Sequence, residues 1–265
     1  MRDKKDLLAG TILVVFFAFA GLSYAVQPND VLGIWLFDEK QGNVAIDASG
    51  NGRDGEIQGS VQPVVGKFGG GFSFPGVSDS LVIIPHDDGL NVGAFSITAW
   101  VNYELSDQQF QAIVTKGSEA TTYGYYLIIY ESPPLYNIAG FTPGPQDWRE
   151  AIGSTDLTDG EWHHLAATYD RSFVRLYVDG VMEAELAVSN DPGTVDTPLA
   201  IGAQHDGFWP SNAVIDEVGL FSVGLTSDEV GNIMVNGLAA ETGLTAAVSP
   251  MGNISTTWGG VKVQY

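Results

Sequence analysis

The sequence predicts an all-β fold, a sandwich or barrel of antiparallel strands carrying one short C-terminal helix. Three observations predict it. The chain divides into short apolar runs punctuated by Gly, Asp, Asn and Pro, with 33 glycines in 265 residues, so strand-length segments alternate with turns. The stretch Gly160-Glu161-Trp162-His163-His164-Leu165-Ala166-Ala167-Thr168-Tyr169-Asp170 is followed, after a short polar link, by Phe173-Val174-Arg175-Leu176-Tyr177-Val178-Asp179-Gly180. Both runs are β-branched and aromatic, and the second ends on an Asp-Gly turn signal. Helical periodicity is nearly absent, whereas parallel strands need connecting helices of about ten residues or more.

Residues 1–25 stand apart from this pattern. Arg2, Lys4 and Lys5 precede an apolar run from Leu7 to Leu22 and then Ser23-Tyr24-Ala25, a small-x-small site, which reads as a secretory signal peptide. The alternative is an uncleaved anchor, against which the run is short of the ~20 residues a spanning helix prefers. Export to the medium or the cell surface is therefore expected, with no membrane span in the mature chain. That mature chain holds 8 Lys+Arg against 30 Asp+Glu, a formal −22, and lacks the clustered bases a nucleic-acid partner needs. Zero Cys excludes disulfides, thiol catalysis and cysteine-type zinc sites. A core of about 240 residues must hold the fold alone, which is enough for one large sandwich.

Strands are expected at Val31–Phe37, Gly71–Phe74, Ser80–Ile84, Phe95–Tyr103, Ala112–Lys116, Tyr125–Tyr130, Leu135–Phe141, Trp162–Tyr169, Phe173–Val178, Glu183–Val188, Leu199–Ile201 and Ala213–Phe221. In Phe173–Asp179 the alternation sends Val174, Leu176 and Val178 one way and Arg175, Tyr177 and Asp179 the other. The one expected helix opens on Thr226-Ser227-Asp228-Glu229, a capping box with Leu225 as staple, carries Ile233, Met234 and Leu238 as its stripe, and ends near Gly243. Residues 242–265 form a tail or an added edge strand.

These segments resemble the laminin G-like domains of the concanavalin A-like jelly-roll family. The Trp162–Asp170 and Leu176–Gly180 strands carry the resemblance most closely. Gly33-Ile34-Trp35-Leu36-Phe37-Asp38-Glu39 with Asp47-Ala48-Ser49-Gly50-Asn51-Gly52, Phe72-Ser73-Phe74, Phe95–Val101, Gly124–Leu127, Leu199–Gly202 and Ile215–Val218 follow the family's order. The resemblance implies an antiparallel two-sheet β-sandwich of jelly-roll type over residues 28–241. It also implies recognition of a ligand, as in the family's adhesion modules, lectins and sugar-binding appendages, without naming that ligand.

The loop Asp47–Asp54 sets oxygen donors at alternate positions with Gly52 at the sixth, as a calcium loop does. It is not an EF-hand, since Gln58 stands at the twelfth position and the flanks read as strands. A structural Ca²⁺ held by Asp47, Asn51 and Asp54, with Asp216 from a late strand, is what the resemblance implies; an Asx-turn hairpin is the alternative. His163 and His164 are adjacent on a strand, point to opposite faces, and make a poor shared metal site or dyad. The expectation is one packed, hydrogen-bonded imidazole and one surface residue.

Catalysis has no specific signal. The Glu-x-Asp-x-x-Glu run that the resembling glucanases use is absent, and Glu183-Ala184-Glu185 and Asp216-Glu217 lack its third member. There is no Gly-x-Ser-x-Gly elbow and no phosphate-cradling loop. The aromatics beside loops rich in Gly, Pro, Gln and Asn are the better clue: Tyr123, Tyr125, Tyr136, Trp148, Phe208 and Trp209. Flat rings stack on sugars while amides read hydroxyls, which selects Tyr125, Trp148, Gln204 and Trp209 as candidate ligand-binding residues. The sequence thus points to an exported, non-catalytic recognition domain for carbohydrate or glycoprotein ligands, in adhesion or matrix contact. A secreted glycoside hydrolase or lyase on the same sandwich, and a structural cell-surface assembly protein, are the alternatives.

Overall fold

A computed structural model describes residues 26–105, 109–118, 122–130 and 136–243; the leader, residues 1–25, and residues 244–265 of the expected tail lie outside them. Sixteen strands lie among the described residues: β1 (Val31–Trp35), β2 (Val44–Ala45), β3 (Gly55–Ile57), β4 (Gln62–Val65), β5 (Gly70–Pro75), β6 (Val82–Ile84), β7 (Phe95–Tyr103) and β8 (Phe110–Gly117), then β9 (Tyr123–Tyr130), β10 (Tyr136–Phe141), β11 (Arg149–Gly153), β12 (His163–Tyr169), β13 (Phe173–Val178), β14 (Val181–Ala187), β15 (Leu199–Ile201) and β16 (Asn212–Phe221). They form two antiparallel sheets. The first runs β14-β13-β12-β7-β16-β5-β4 with β1 added against β16, and the second runs β11-β10-β9-β8-β15-β6-β3-β2.

The expected strands appear, several with unchanged bounds, and four more join them: β2, β3, β4 and β11. Hairpin chemistry works as the sequence suggests. Asp179 (φ 49°) and Gly180 (φ 76°) both take positive φ between β13 and β14, the combination a type I′ turn requires and whose twist matches its strands. Asp170 Oδ1 accepts from the amides of Ser172 and Phe173 and so holds the link between β12 and β13.

Between the sheets lies the main core, with Trp35, Phe72, Phe74, Phe95, Tyr103, Tyr125, Phe141 and Tyr169 among its fully buried rings. A second apolar layer covers the outer face of the first sheet. Helix α1 (Ser227–Asn236) sets Val230 and Ile233 there, and α2 (Leu238–Glu241) adds Leu238, against Ile34, Ala166, Tyr177 and Phe221. The capping box is present: the Glu229 amide donates to Thr226 Oγ1, and the Thr226 amide donates to Glu229 Oε2 at 2.7 Å. The expected single helix is split, because Gly237 (φ 82°) ends α1 and Glu217 Oε2 takes the Leu238 amide that opens α2. Val230 stands in the stripe where Met234 was expected, and Met234 is only half-buried. No helix among the described residues is long and apolar enough to cross a membrane.

Candidate functional site

The loop after β2 is closed on itself. Asp47, nearly buried, accepts at Oδ1 from the amides of Ile34 and Ser49 and from Ser49 Oγ, and at Oδ2 from the Arg53 amide. Asp54 Oδ1 accepts the Asp47 amide, and Asn51 donates its side-chain amide to the carbonyls of Val31 and Leu32. Arg53 completes the set, giving Nη1 to the Leu32 carbonyl and Nη2 to Asp87 at 2.7 Å. Every one of these groups ties the loop to β1, to the Asp87 turn or to itself, which is the Asx-turn alternative in an elaborated form.

Asp216 sits elsewhere. Strand β16 pairs with β7 along its length, and on its other side exchanges β5 for β1 at a bulge where Glu217 takes φ 52°. Asp216 accepts from the amides of Phe68 and Glu217 in that gap. Burial pushes both carboxyls up to about 7, with Glu217 adding to the shift at Asp216 and Asp38 adding to that at Glu217. Asp216 therefore shares no hydrogen-bond partner with Asp47, Asn51 or Asp54. Among the described residues no three His, Asp or Glu side chains are grouped to hold a metal ion. The expected calcium set does not converge, because its carboxylates are already committed to backbone amides at two separate places.

His163 and His164 point to opposite faces. His163 is hydrogen-bonded to Asp179 at 2.8 Å and to Asp159 at 3.1 Å. His164 is fully buried, edge-on to Trp100 at 5.3 Å, with neither ring nitrogen partnered, and burial lowers its pKa to about 4. The hydrogen-bonded imidazole is thus the one nearer solvent, and the buried one is packed without hydrogen bonds.

The aromatics do converge, on the face of the second sheet turned away from the main core. A groove of about 540 Å³ is lined by Phe110 from β8, Ile128 and Tyr130 from β9, Ile138 from β10, Glu150 and Ile152 from β11, and Trp148 and Trp209 from loops. Its size and apolar lining with one polar group suit a small ligand. Phe110 packs on Tyr130 at 4.6 Å and on Trp209 at 4.8 Å between ring centroids. Beneath them Tyr123 stacks on Trp209 at 5.7 Å and 12° and meets Trp148 at 5.4 Å. The Trp209 loop is pinned by its carbonyl, which accepts the Ala112 amide of β8. Trp148 is 40 % exposed, so its ring is open to a ligand.

Two of the four expected ligand residues take other places. Tyr125 is buried in the main core, donating its hydroxyl to the Leu90 carbonyl at 3.1 Å beside Phe95. The alternation of β9 turns Tyr126, Ile128 and Tyr130 to the groove side and Tyr125, Leu127 and Ile129 inward. Gln204 is also buried and donates to Tyr123 Oη at 2.7 Å, so it holds the floor ring from beneath the groove. Trp148 and Trp209 line the groove. Sequence reasoning missed Glu150 and Ile152, because Arg149–Gly153 is a short, charged edge strand whose one signal is its alternation. Glu150 Oε1 accepts from Tyr126 Oη at 2.7 Å, and burial raises its pKa.

Solved structures of the same fold are varied. Domain 4 of AbnA, a GH43 extracellular arabinanase from Geobacillus stearothermophilus, in complex with arabinotriose, is similar at TM-score 0.61 and 20 % identity over 77 % of this chain and 98 % of that one. A structure of botulinum neurotoxin type C, whose cell entry depends on interaction with two ganglioside molecules, is similar at 0.61 and 13 % over 78 % of this chain. Trypanosoma rangeli sialidase in complex with the inhibitor DANA is similar at 0.59 and 17 % over 77 %. This chain spans about half of the neurotoxin structure (51 %) and about a third of the sialidase (32 %). No curated protein sequence matches the chain significantly. The laminin G-type sequence profile described as the concanavalin A-like lectin/glucanases superfamily matches residues 76–231, more than half of the chain. The chain belongs to the concanavalin A-like lectin/glucanases superfamily, as a member of laminin G type.

Proposed function

We propose that this protein is an exported, non-catalytic carbohydrate-recognition domain whose ligand lies in the aromatic groove of the second sheet. The observation that carries the reading is the convergence of Phe110, Tyr130, Trp148 and Trp209 around one carboxylate, Glu150, on an otherwise apolar sheet face. Ring faces match the apolar faces of sugars, and a carboxylate accepts from their hydroxyls. The arabinotriose complex of the arabinanase domain and the ganglioside dependence of the neurotoxin support it at the level of the fold. The basic and apolar leader supports export.

Glu150 is the one carboxylate lining the groove among the described residues, whereas glycoside hydrolysis uses a pair of them across the scissile bond. That favours binding over cleavage. The test is calorimetric titration of the protein with a panel of neutral, cationic and anionic oligosaccharides. Binding that weakens roughly ten-fold in Trp148→Ala and in Trp209→Ala is the expected result, about 1.4 kcal/mol for each ring. Glycan binding untouched by both substitutions moves the site away from the groove, and release of reducing ends from any bound oligosaccharide overturns the non-catalytic reading.

A further inference from the structure

We propose that the groove selects glycans bearing a positively charged amine, of the glucosamine type, over neutral and anionic ones. This inference rests on the carbohydrate reading above and names its ligand class. Three observations point to it.

The first is the state of Glu150. Tyr126 Oη donates to its Oε1 and fixes the carboxylate's orientation, while among the described residues Oε2 has no protein donor and no cation stands against either oxygen. A carboxylate half-withdrawn from water among Ile128, Ile138 and Ile152 is poorly compensated, and burial accordingly raises its pKa. An ammonium group brought in by a ligand forms a charge-assisted hydrogen bond with it, in surroundings where charges interact more strongly than in water. A hydroxyl at the same place makes a neutral-to-charged bond and compensates less.

The second is the aromatic wall. Cations are attracted to the faces of Trp, Tyr and Phe rings, and Trp148, Trp209, Tyr130 and Phe110 surround the groove. A cationic sugar therefore gains from both components of the site, and an anionic one gains from neither.

The third is the distribution of bases. The seven described Lys and Arg residues are Lys40, Arg53, Lys67, Lys116, Arg149, Arg171 and Arg175, and none lines the groove. Arg149, next to Glu150 in the chain, shares the face of β11 that holds the core residue Ala151 and is ion-paired to Asp147 at 2.6 Å. Arg53 is held by Asp87, Arg175 by Asp170 and Glu185, and Lys67 lies over the Trp100 ring. With a formal charge of −21 on the whole chain, a sialylated or uronic-acid glycan meets repulsion and no compensating cation in the groove.

The experiment compares three hexamers of one backbone: chitosan hexamer with its amines protonated, its fully N-acetylated form, and cellohexaose. Each is titrated into the wild-type protein, Glu150→Gln and Glu56→Gln. The amide introduced by Glu150→Gln keeps an acceptor for Tyr126, and Glu56 is an exposed carboxylate on β3 outside the groove. The expected result is an advantage of the amine hexamer of about ten-fold over both neutral hexamers. That advantage disappears in Glu150→Gln, where the amine hexamer falls to the level of the two neutral ones, and persists in Glu56→Gln. Equal affinity for the three hexamers, an advantage that survives Glu150→Gln, or one lost equally in Glu56→Gln overturns the inference. Binding of other glycans but none of these hexamers also overturns it while leaving the carbohydrate reading intact. Binding of no glycan at all overturns both.

Discussion

Asp216 and Glu217 occupy the bulge where β16 changes neighbours, and burial holds both of their pKa values near about 7. In the unfolded chain they titrate near their ordinary values, 3.8 and 4.5. Between those values and about 7 the folded state binds more protons than the unfolded one, so these groups stabilise fully below about pH 4 and lose that contribution as pH rises through about 7. His164 acts in the opposite sense: kept neutral by burial, it loses stability as pH falls from its ordinary 6.5 through about 4. Comparing variants separates the two effects. A glutamine in place of Glu217 still accepts the Leu238 amide but carries no charge, so Glu217→Gln matches the wild type near pH 4 in urea unfolding. Above pH 7 it is the more stable protein by roughly 3 kcal/mol. A difference that stays constant across the range contradicts the account of this buried carboxyl. At the same scale, Tyr125 and Tyr126 show what sequence alone could not decide. Both are aromatic and adjacent, and only the register of β9, shifted against β8 between Lys116 and Gly117, tells which one faces the groove.

At the scale of elements, the Asp47–Asp54 loop is a hydrogen-bonded clasp on β1. Asp47→Ala leaves the amides of Ile34, Ser49 and Arg53 without their acceptor and is expected to cost about 3 kcal/mol. Because the clasp is complete in itself, thermal unfolding of the wild type in EDTA and in millimolar Ca²⁺ is expected to give one Tm. A calcium-dependent rise lost in Asp47→Ala contradicts the clasp and restores the ion. The spacing of Asp47, Asn51 and Asp54 reads alike for a cation and for backbone polar groups; the Ile34 amide and the Val31 and Leu32 carbonyls of β1 that decide between them are more than ten residues away in the chain. The central strands were legible in the sequence, because β-branched and aromatic runs between Gly and Asp turns admit little else; Phe95–Tyr103 and Phe173–Val178 stand at their expected bounds. The short, weakly apolar β2, β3, β4 and β11 were not. Their pairing depends on neighbours supplied by the rest of the sheet, and losing β11 from view meant losing Glu150.

At the scale of the molecule, the two outer faces of the sandwich meet different fates. The first sheet's face is roofed by α1 and α2 through Val230, Ile233 and Leu238, with Leu225 just ahead of α1. The second sheet's face carries Phe110, Tyr126, Ile128, Tyr130 and Ile138 with Trp209 into a groove. An apolar, aromatic-rimmed face in a strongly acidic protein is where a partner is expected. The helix was readable from its capping box, and with it the fate of one face. The groove was not, since its residues come from four strands and two loops brought together by topology alone. The measurement that tests the central claim most directly is hydrogen exchange of the full protein with and without the tightest-binding oligosaccharide of the panel. The account predicts slowed exchange in the edge strand 149–153 and in the loops carrying Trp148 and Trp209, with the 47–54 loop and the 227–241 helices unchanged. Protection confined to the 47–54 loop or to the helical face, with the groove exchanging as before, contradicts it.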